Sequence, residues 1–340
     1  MPSAAIYDCE GAMPTADEKA FFKEADPLGF ILFARHCESL EATQALCAEL
    51  REIVGRDALI LIDQEGGRVT RMKAPTFPAH PPMAIFGRLW KLDPKKAVEA
   101  ARLNAELLGR MVRSAGVTVD CVPMLDVPQL DADPVVIGDR ALATHTDQII
   151  ALGRAVMDGV TAGGALPVIK HMPGHGRALC DSHHELPTVV ARKDELRMVD
   201  FAPFKALNDA ALGMTGHVVY DAFDTDHCAT MSKTMISEVI RGEIGFDGLL
   251  MSDDLKMKAL GGALSARAGD CLEAGCDIAL CCNFELSEKI DTAKKVVPLA
   301  GKPLSRATRA INAVPATQSD VDVEDRYREL ASLIKPAEAA

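Results

Sequence analysis

The chain has 340 residues, 48% of them hydrophobic, enough to bury a large core in one or two domains. Its formal net charge of −12 argues against a broad electrostatic grip on nucleic acid or an anionic membrane surface, though a local basic pocket for an acidic ligand stays open. No apolar run approaches the roughly 18 residues of a membrane span.

Short apolar runs alternate with helix-like segments along most of the chain. In order, the candidate strands are 4–8, 29–33, 59–63, 117–122, 167–170, 213–217, 248–252 and 277–281. Most are continuous rather than alternating, the pattern of strands covered on both faces. The segments between them carry helix signals. Asp93 and Pro94 supply an N-cap and a first helical position, Ala97, Ala101, Leu107, Leu108, Met111 and Val112 an apolar face, and Gly116 a stop. Further helices are expected at 38–54, 146–162, 193–208, 232–243 and 263–274. Eight βα units in sequence predict an α/β fold, a single-domain (β/α)8 TIM barrel over 1–314. The tail, 315–340, carries a charged helix-like stretch at 323–334 and is expected to pack on the barrel or extend from it. An open doubly wound sheet is the alternative. Its GxGxxG fingerprint is missing after the first strand, where the chain reads Asp8-Cys9-Glu10-Gly11-Ala12.

Ten cysteines are present, with Cys9, Cys121, Cys276 and Cys281 in apolar runs and no CxxC pair. This disfavours a ribbon-type zinc site and suits buried free thiols in a reducing compartment. The N-terminus lacks the basic-then-apolar pattern of a secretory signal, so a cytoplasmic location is expected.

Two connections exceed ordinary loop length, 64–92 and 171–192, and both follow strand ends, where a barrel builds its site. Polar residues crowd those ends. Asp63 closes the third strand and leads into Gln64-Glu65-Gly66-Gly67-Arg68, with Arg71 beyond. Lys170 and His171 close the fifth, His217 the sixth, Asp253 and Asp254 the seventh. After the basic pair the chain runs Met172-Pro173-Gly174-His175-Gly176 and reaches Asp181-Ser182-His183, an imidazole with a carboxylate two residues away. Such a pair suits proton transfer: the Asp fixes the tautomer and raises the basicity of a ring that titrates near neutrality. The bond before Pro173 is a candidate for cis. Of Asp253 and Asp254, only one can easily face a ligand, since adjacent residues leaving a strand point apart. The other would cap the next helix or meet a cation. A carboxylate here could act as a nucleophile at a sugar's anomeric carbon, with the imidazole protonating the departing oxygen.

A metal reading groups His171, His175, His183, His184 and Asp181 as possible ligands. Against it, barrel metal hydrolases commonly carry a His-x-His at the end of the first strand, and this chain has none there. No metal and no cofactor are expected.

These residues together resemble glycoside hydrolase family 3, in its β-N-acetylhexosaminidase branch. The resemblance rests on Ile62-Asp63-Gln64-Glu65-Gly66-Gly67-Arg68-Val69, Val136-Ile137-Gly138-Asp139-Arg140, Lys170 to Gly176, Asp181-Ser182-His183 and Met251-Ser252-Asp253-Asp254-Leu255. It spans about residues 4 to 300 in consistent order. It implies Asp253 as nucleophile, His183 as general acid/base and Asp181 as the partner that tunes His183. It also implies that Asp63, Arg71, Arg140, Lys170 and His171 hold a terminal N-acetylglucosamine. Met172 departs from the usual Phe, Val135 from a small residue, and Arg177-Ala178-Leu179-Cys180 lacks the acid common after Gly176; none of these is a proposed chemical group. The implied activity is retaining hydrolysis of N-acetylglucosamine from 1,6-anhydro-N-acetylmuramic acid fragments, with or without peptide, in peptidoglycan recycling. The enzyme would be a monomer whose partner is the small saccharide or muropeptide, with neither nucleic acid nor membrane involved. A phosphorylase on the same scaffold and a sugar-binding protein without catalysis are the alternatives.

Overall fold

The apolar runs become eight parallel strands in the computed structural model, which describes residues 1–129, 137–178, 185–316 and 321–338. They are β1 Ser3–Tyr7, β2 Pro27–Leu32, β3 Leu59–Ile62, β4 Val119–Asp120, β5 Leu166–Met172, β6 Leu212–Thr215, β7 Leu249–Met251 and β8 Ala279–Cys281. Each pairs with its sequence neighbour from β1 to β7, and β8 returns to pair with β1. A parallel bridge between Met251 and Ile278 brings the ends of the sheet together, so the fold is the expected (β/α)8 barrel.

Both faces of these strands are buried, which is why the runs are continuous. One apolar cluster draws Ile6, Leu28, Leu61, Val119, Val168, Leu212, Leu249 and Leu280 from all eight strands and fills the barrel interior. Tyr7, Phe30, Ile60 and Ile62 instead join a second cluster between sheet and helices. A Leu61→Ala cavity in such an interior would cost about 2–5 kcal/mol.

Local signals set the helix ends. Thr15 and Glu18 form a capping box on α1, Ala16–Ala25. Ser39 caps α2, Leu40–Val54, which ends on left-handed Gly55. The long 64–92 connection is not all loop, because α3, Ala84–Leu92, occupies its end. Asp93 accepts from the amides of Lys95 and Lys96 to start α4, Pro94–Ser114, as the sequence indicated. Then come α5 Thr146–Ala162, α6 Leu264–Ala274, α7 Leu286–Ala293, α8 Gly301–Ala313 and α9 Val323–Glu338. Tyr327 of α9 meets His80, and Arg326 pairs with Glu106 of α4.

Three expectations change in detail. The helix at 193–208 is broken into Lys193–Glu195, a π-turn at Leu196–Asp200 and Ala202–Ala206. Pro203 supplies no N–H, and the wider turn precedes it. The helix at 232–243 is a π-helix over Met235–Glu243. Strand β4 is two residues long rather than six, because Pro123 cannot donate to the ladder; pairing resumes at a Met124–Lys170 bridge. A small sheet of Thr188–Val189, Val219–Tyr220 and Asp224–Cys228 was not anticipated. No helix among the described residues is long and apolar enough to cross a membrane.

Candidate active site

The turn after β3 is held together by the Gln64 side chain. Gln64 accepts the Arg71 and Met72 amides on Oε1, at 2.9 and 3.0 Å, and donates Nε2 to the Met72 carbonyl at 3.0 Å. Gly66 sits at φ +91°, and a Cβ there would lie 2.4 Å from the Pro81 carbonyl oxygen, so the close approach needs glycine. This turn aims Asp63 and Glu65 at Lys170, which β5 delivers almost fully buried.

Lys170 Nζ lies 3.0 Å from Asp63 and 2.7 Å from Glu65. Arg71 holds the other Asp63 oxygen at 3.1 Å, and Arg140 reaches Glu65 with Nε at 2.9 Å and Nη2 at 2.8 Å. Burial alone would raise both acids. Lys170 and Arg71 outweigh it at Asp63 and pull it to about 2. Arg140 and Lys170 hold Glu65 further below the ordinary range. Lys170 in turn, despite the opposing effect of burial, is raised by the two carboxylates and stays an ammonium.

The ends of β4 and β5 supply a second pair. Asp126 accepts His171 Nδ1–H at 2.7 Å, the His171 amide at 3.3 Å and the His175 amide at 2.6 Å. Burial opposes ionisation of Asp126, but the His171 ring and these bonds outweigh it. With Nδ1 committed to Asp126, Nε2 is the His171 nitrogen left for the cleft. The chain turns here through cis bonds before His171 and Pro173. Gly176 passes so close to Val127 that a Cβ would meet its carbonyl oxygen at 2.0 Å.

Asp253 and Asp254 both line the cleft and differ in the bonds they make. Asp254 accepts the Lys256 amide on Oδ1 at 2.9 Å, and its main-chain carbonyl accepts His217 Nε2–H at 3.0 Å. His217 Nδ1 meets Thr230 Oγ1 at 2.8 Å, and burial holds this imidazole below its ordinary pKa. Asp253 accepts the Asp254 amide at 2.8 Å. Burial would raise its carboxyl, but His171, His217, that amide and Lys170 hold it below the usual value, so it is ionised at neutral pH.

Asp63, Arg71, Arg140, Lys170, His171 and Asp253 all line one cleft of about 370 Å³, the size of a small-molecule pocket. Phe33 joins them, with the Arg71 guanidinium 5.5 Å from its ring centre. Asp181 and His183 lie outside the described residues, as do His184 and Val135. Asp126 was missed by the sequence reading. Its one signal is an acid shortly after the fourth strand, in Met124-Leu125-Asp126. Of the residues the metal reading grouped, the His171 ring is held by Asp126 through Nδ1. Among the described residues, no three His, Cys, Asp or Glu side chains gather as a metal site.

The glycosyl hydrolase family 3 N-terminal domain matches residues 8–314. The β-hexosaminidase of Bordetella avium is 35% identical over 333 residues, 96% of this chain and 93% of the relative. That of Chromobacterium violaceum is 36% identical, covering 82% of this chain and 78% of the relative. Among solved structures, NagZ from Neisseria gonorrhoeae in complex with N-trifluoroacetyl-D-glucosamine superposes with a TM-score of 0.87 at 29% identity, over 98% of this chain and 99% of that one. A family 3 β-N-acetylglucosaminidase from Paenibacillus gives 0.82 at 25% identity, over 98% of this chain and 66% of that one. With this match along its length, and with the acid-and-cation cleft at the barrel rim, the chain belongs to glycosyl hydrolase family 3, beside the β-hexosaminidases, and is a glycoside hydrolase.

Proposed function

We propose that this hydrolase is a retaining exo-β-N-acetylglucosaminidase that acts through a glycosyl-aspartyl intermediate on Asp253. The observation that carries the reading is Asp253 itself, an ionised carboxylate sharing one cleft with Asp63, Lys170 and Arg71. Asp63 accepts from sugar hydroxyls, while Lys170, Arg71 and Arg140 donate to them and His171 supplies a further polar contact. A ring held this way presents its anomeric carbon to Asp253. His183, tuned by Asp181, protonates the leaving oxygen and later deprotonates the attacking water.

The substrate in this reading is N-acetylglucosamine joined to 1,6-anhydro-N-acetylmuramic acid, with or without peptide, released in peptidoglycan turnover. Residues 1–314 form the catalytic unit and 315–340 a helical tail. The protein works as a cytoplasmic monomer without metal or cofactor. All nine described cysteines are free and buried, and burial pushes thiols such as Cys47 up to about 12, as suits a reducing compartment.

The test is incubation with a chromogenic β-N-acetylglucosaminide in EDTA, with and without phosphate, and then with the anhydro-disaccharide. Release of free N-acetylglucosamine in all cases supports the reading. A sugar phosphate formed only with phosphate would make the enzyme a phosphorylase. No turnover of the disaccharide would remove the proposed substrate.

A further inference from the structure

Beneath the cleft lies a carboxyl that the proposed chemistry does not use. Asp120, the last residue of β4, is fully buried. It stands opposite Ile62 in the β3–β4 register, and its Oδ1 accepts the Gln64 N–H at 3.0 Å. Cys121 N–H still reaches the Ile62 carbonyl at 2.8 Å, and the next amide beyond β3, that of Gln64, is taken by the Asp120 carboxyl in place of a main-chain carbonyl. Its Oδ2 is sealed from solvent and has no hydrogen-bond partner among the described residues.

Gln64 is what this bond controls. Its neighbours in the chain are Asp63 and Glu65, and its side chain fixes the Arg71 and Met72 amides. One hydrogen bond from β4 therefore anchors the main chain that carries three members of the charged cluster.

We propose that Asp120 is a positioning residue of the sugar site, a carboxyl that clamps the Gln64 amide and so fixes how Asp63, Glu65 and Arg71 are presented. Asp120 does this as a neutral acceptor. Burial drives the carboxyl well above the ordinary range, and neither the Gln64 amide nor Lys170 offsets it. Lys170 is already held by Asp63 and Glu65, so it has no need of a third anion. An ionised Asp120 would also cancel the excess of Lys170, Arg71 and Arg140 over Asp63 and Glu65, and Lys170 is one of the groups that keep Asp253 ionised.

The inference rests on this cleft being the sugar site, and the test separates the two claims. In the full chain, Asp120→Ala and Asp120→Asn are compared with wild type by amide exchange over residues 61–72, by calorimetric binding of N-acetylglucosamine, and by KM and kcat on a chromogenic N-acetylglucosaminide. Asp120→Ala leaves the Gln64 N–H unpaired, so exchange quickens and sugar binding and KM worsen by roughly tenfold. Because Asp63 contacts the sugar before and during reaction, kcat falls by less than about threefold. Asp120→Asn keeps an acceptor and no charge, and brings each value back within about threefold of wild type. Unchanged exchange and KM in Asp120→Ala would overturn the clamp. Asp120→Asn as impaired as Asp120→Ala would overturn the neutral role. Failure of wild type itself to bind N-acetylglucosamine would sink the sugar-site reading, while the exchange data would still decide whether Asp120 holds the turn.

Discussion

Replacing Asp63 by Asn tests the charged cluster in two ways at once. Its carboxyl falls from the ordinary 3.8 to about 2 in the fold, mainly because Lys170 and Arg71 outweigh its burial. At about 1.4 kcal/mol per pKa unit, that separation corresponds to about 2.5 kcal/mol of stability at neutral pH. The side chain is mostly shielded, so solvent screening removes little of this. The sign follows from a depressed acid: the contribution is complete above about pH 4 and fades as pH falls through 2. Asp63→Asn should therefore unfold about 2 kcal/mol more easily in urea at pH 7, with the gap to wild type narrowing below pH 4. Catalytically, Asn keeps one acceptor and loses the charge that orders Lys170 and Arg71. A loss of kcat/KM of ten- to a hundredfold is expected on a chromogenic N-acetylglucosaminide. Equal urea midpoints for the two proteins at pH 7, with a gap that opens only in acid, would refute the electrostatic reasoning.

Further predictions follow the same logic. His183→Ala should slow substrates with poor leaving groups by orders of magnitude, while aryl glycosides of acidic phenols suffer far less; Asp181→Asn should act in the same direction. Equal losses across leaving groups would remove the acid role from His183. Gly66→Ala forces a side chain to φ +91° against the Pro81 carbonyl, so a loss of about 1–3 kcal/mol is expected in denaturant unfolding, with weaker sugar binding. Asp254→Asn keeps its main-chain bond to His217 and an acceptor for Lys256, so activity should stay within about tenfold of wild type. A loss matching that of Asp253→Ala would reverse the choice between the neighbours.

The barrel was legible because eight continuous apolar runs, spaced by capped helices, admit few other arrangements. Asp63, Lys170, His171 and Asp253 were legible for the same reason, since a charge at the end of a buried strand has only the rim to occupy. Asp126 was not. The fourth strand reads as 117–122, but Pro123 interrupts the ladder and pairing resumes at Met124, which moves the rim residue four places on. The bidentate Arg140–Glu65 pair joins residues 75 apart, and no local pattern encodes it. The helix at 193–208 was over-read because apolar periodicity does not register the missing N–H of Pro203.

In the proposed mechanism an Asp253 carboxylate oxygen bonds to the anomeric carbon of the sugar. Incubation with a fluorinated N-acetylglucosaminyl fluoride, which slows breakdown of a glycosyl-enzyme more than its formation, tests this directly by peptide mass spectrometry. The expected result is one N-acetylglucosaminyl adduct per chain, on Asp253, absent in Asp253→Ala and released on prolonged incubation. An adduct on Asp254 or another residue, or turnover of the probe with no adduct at any time, would contradict it.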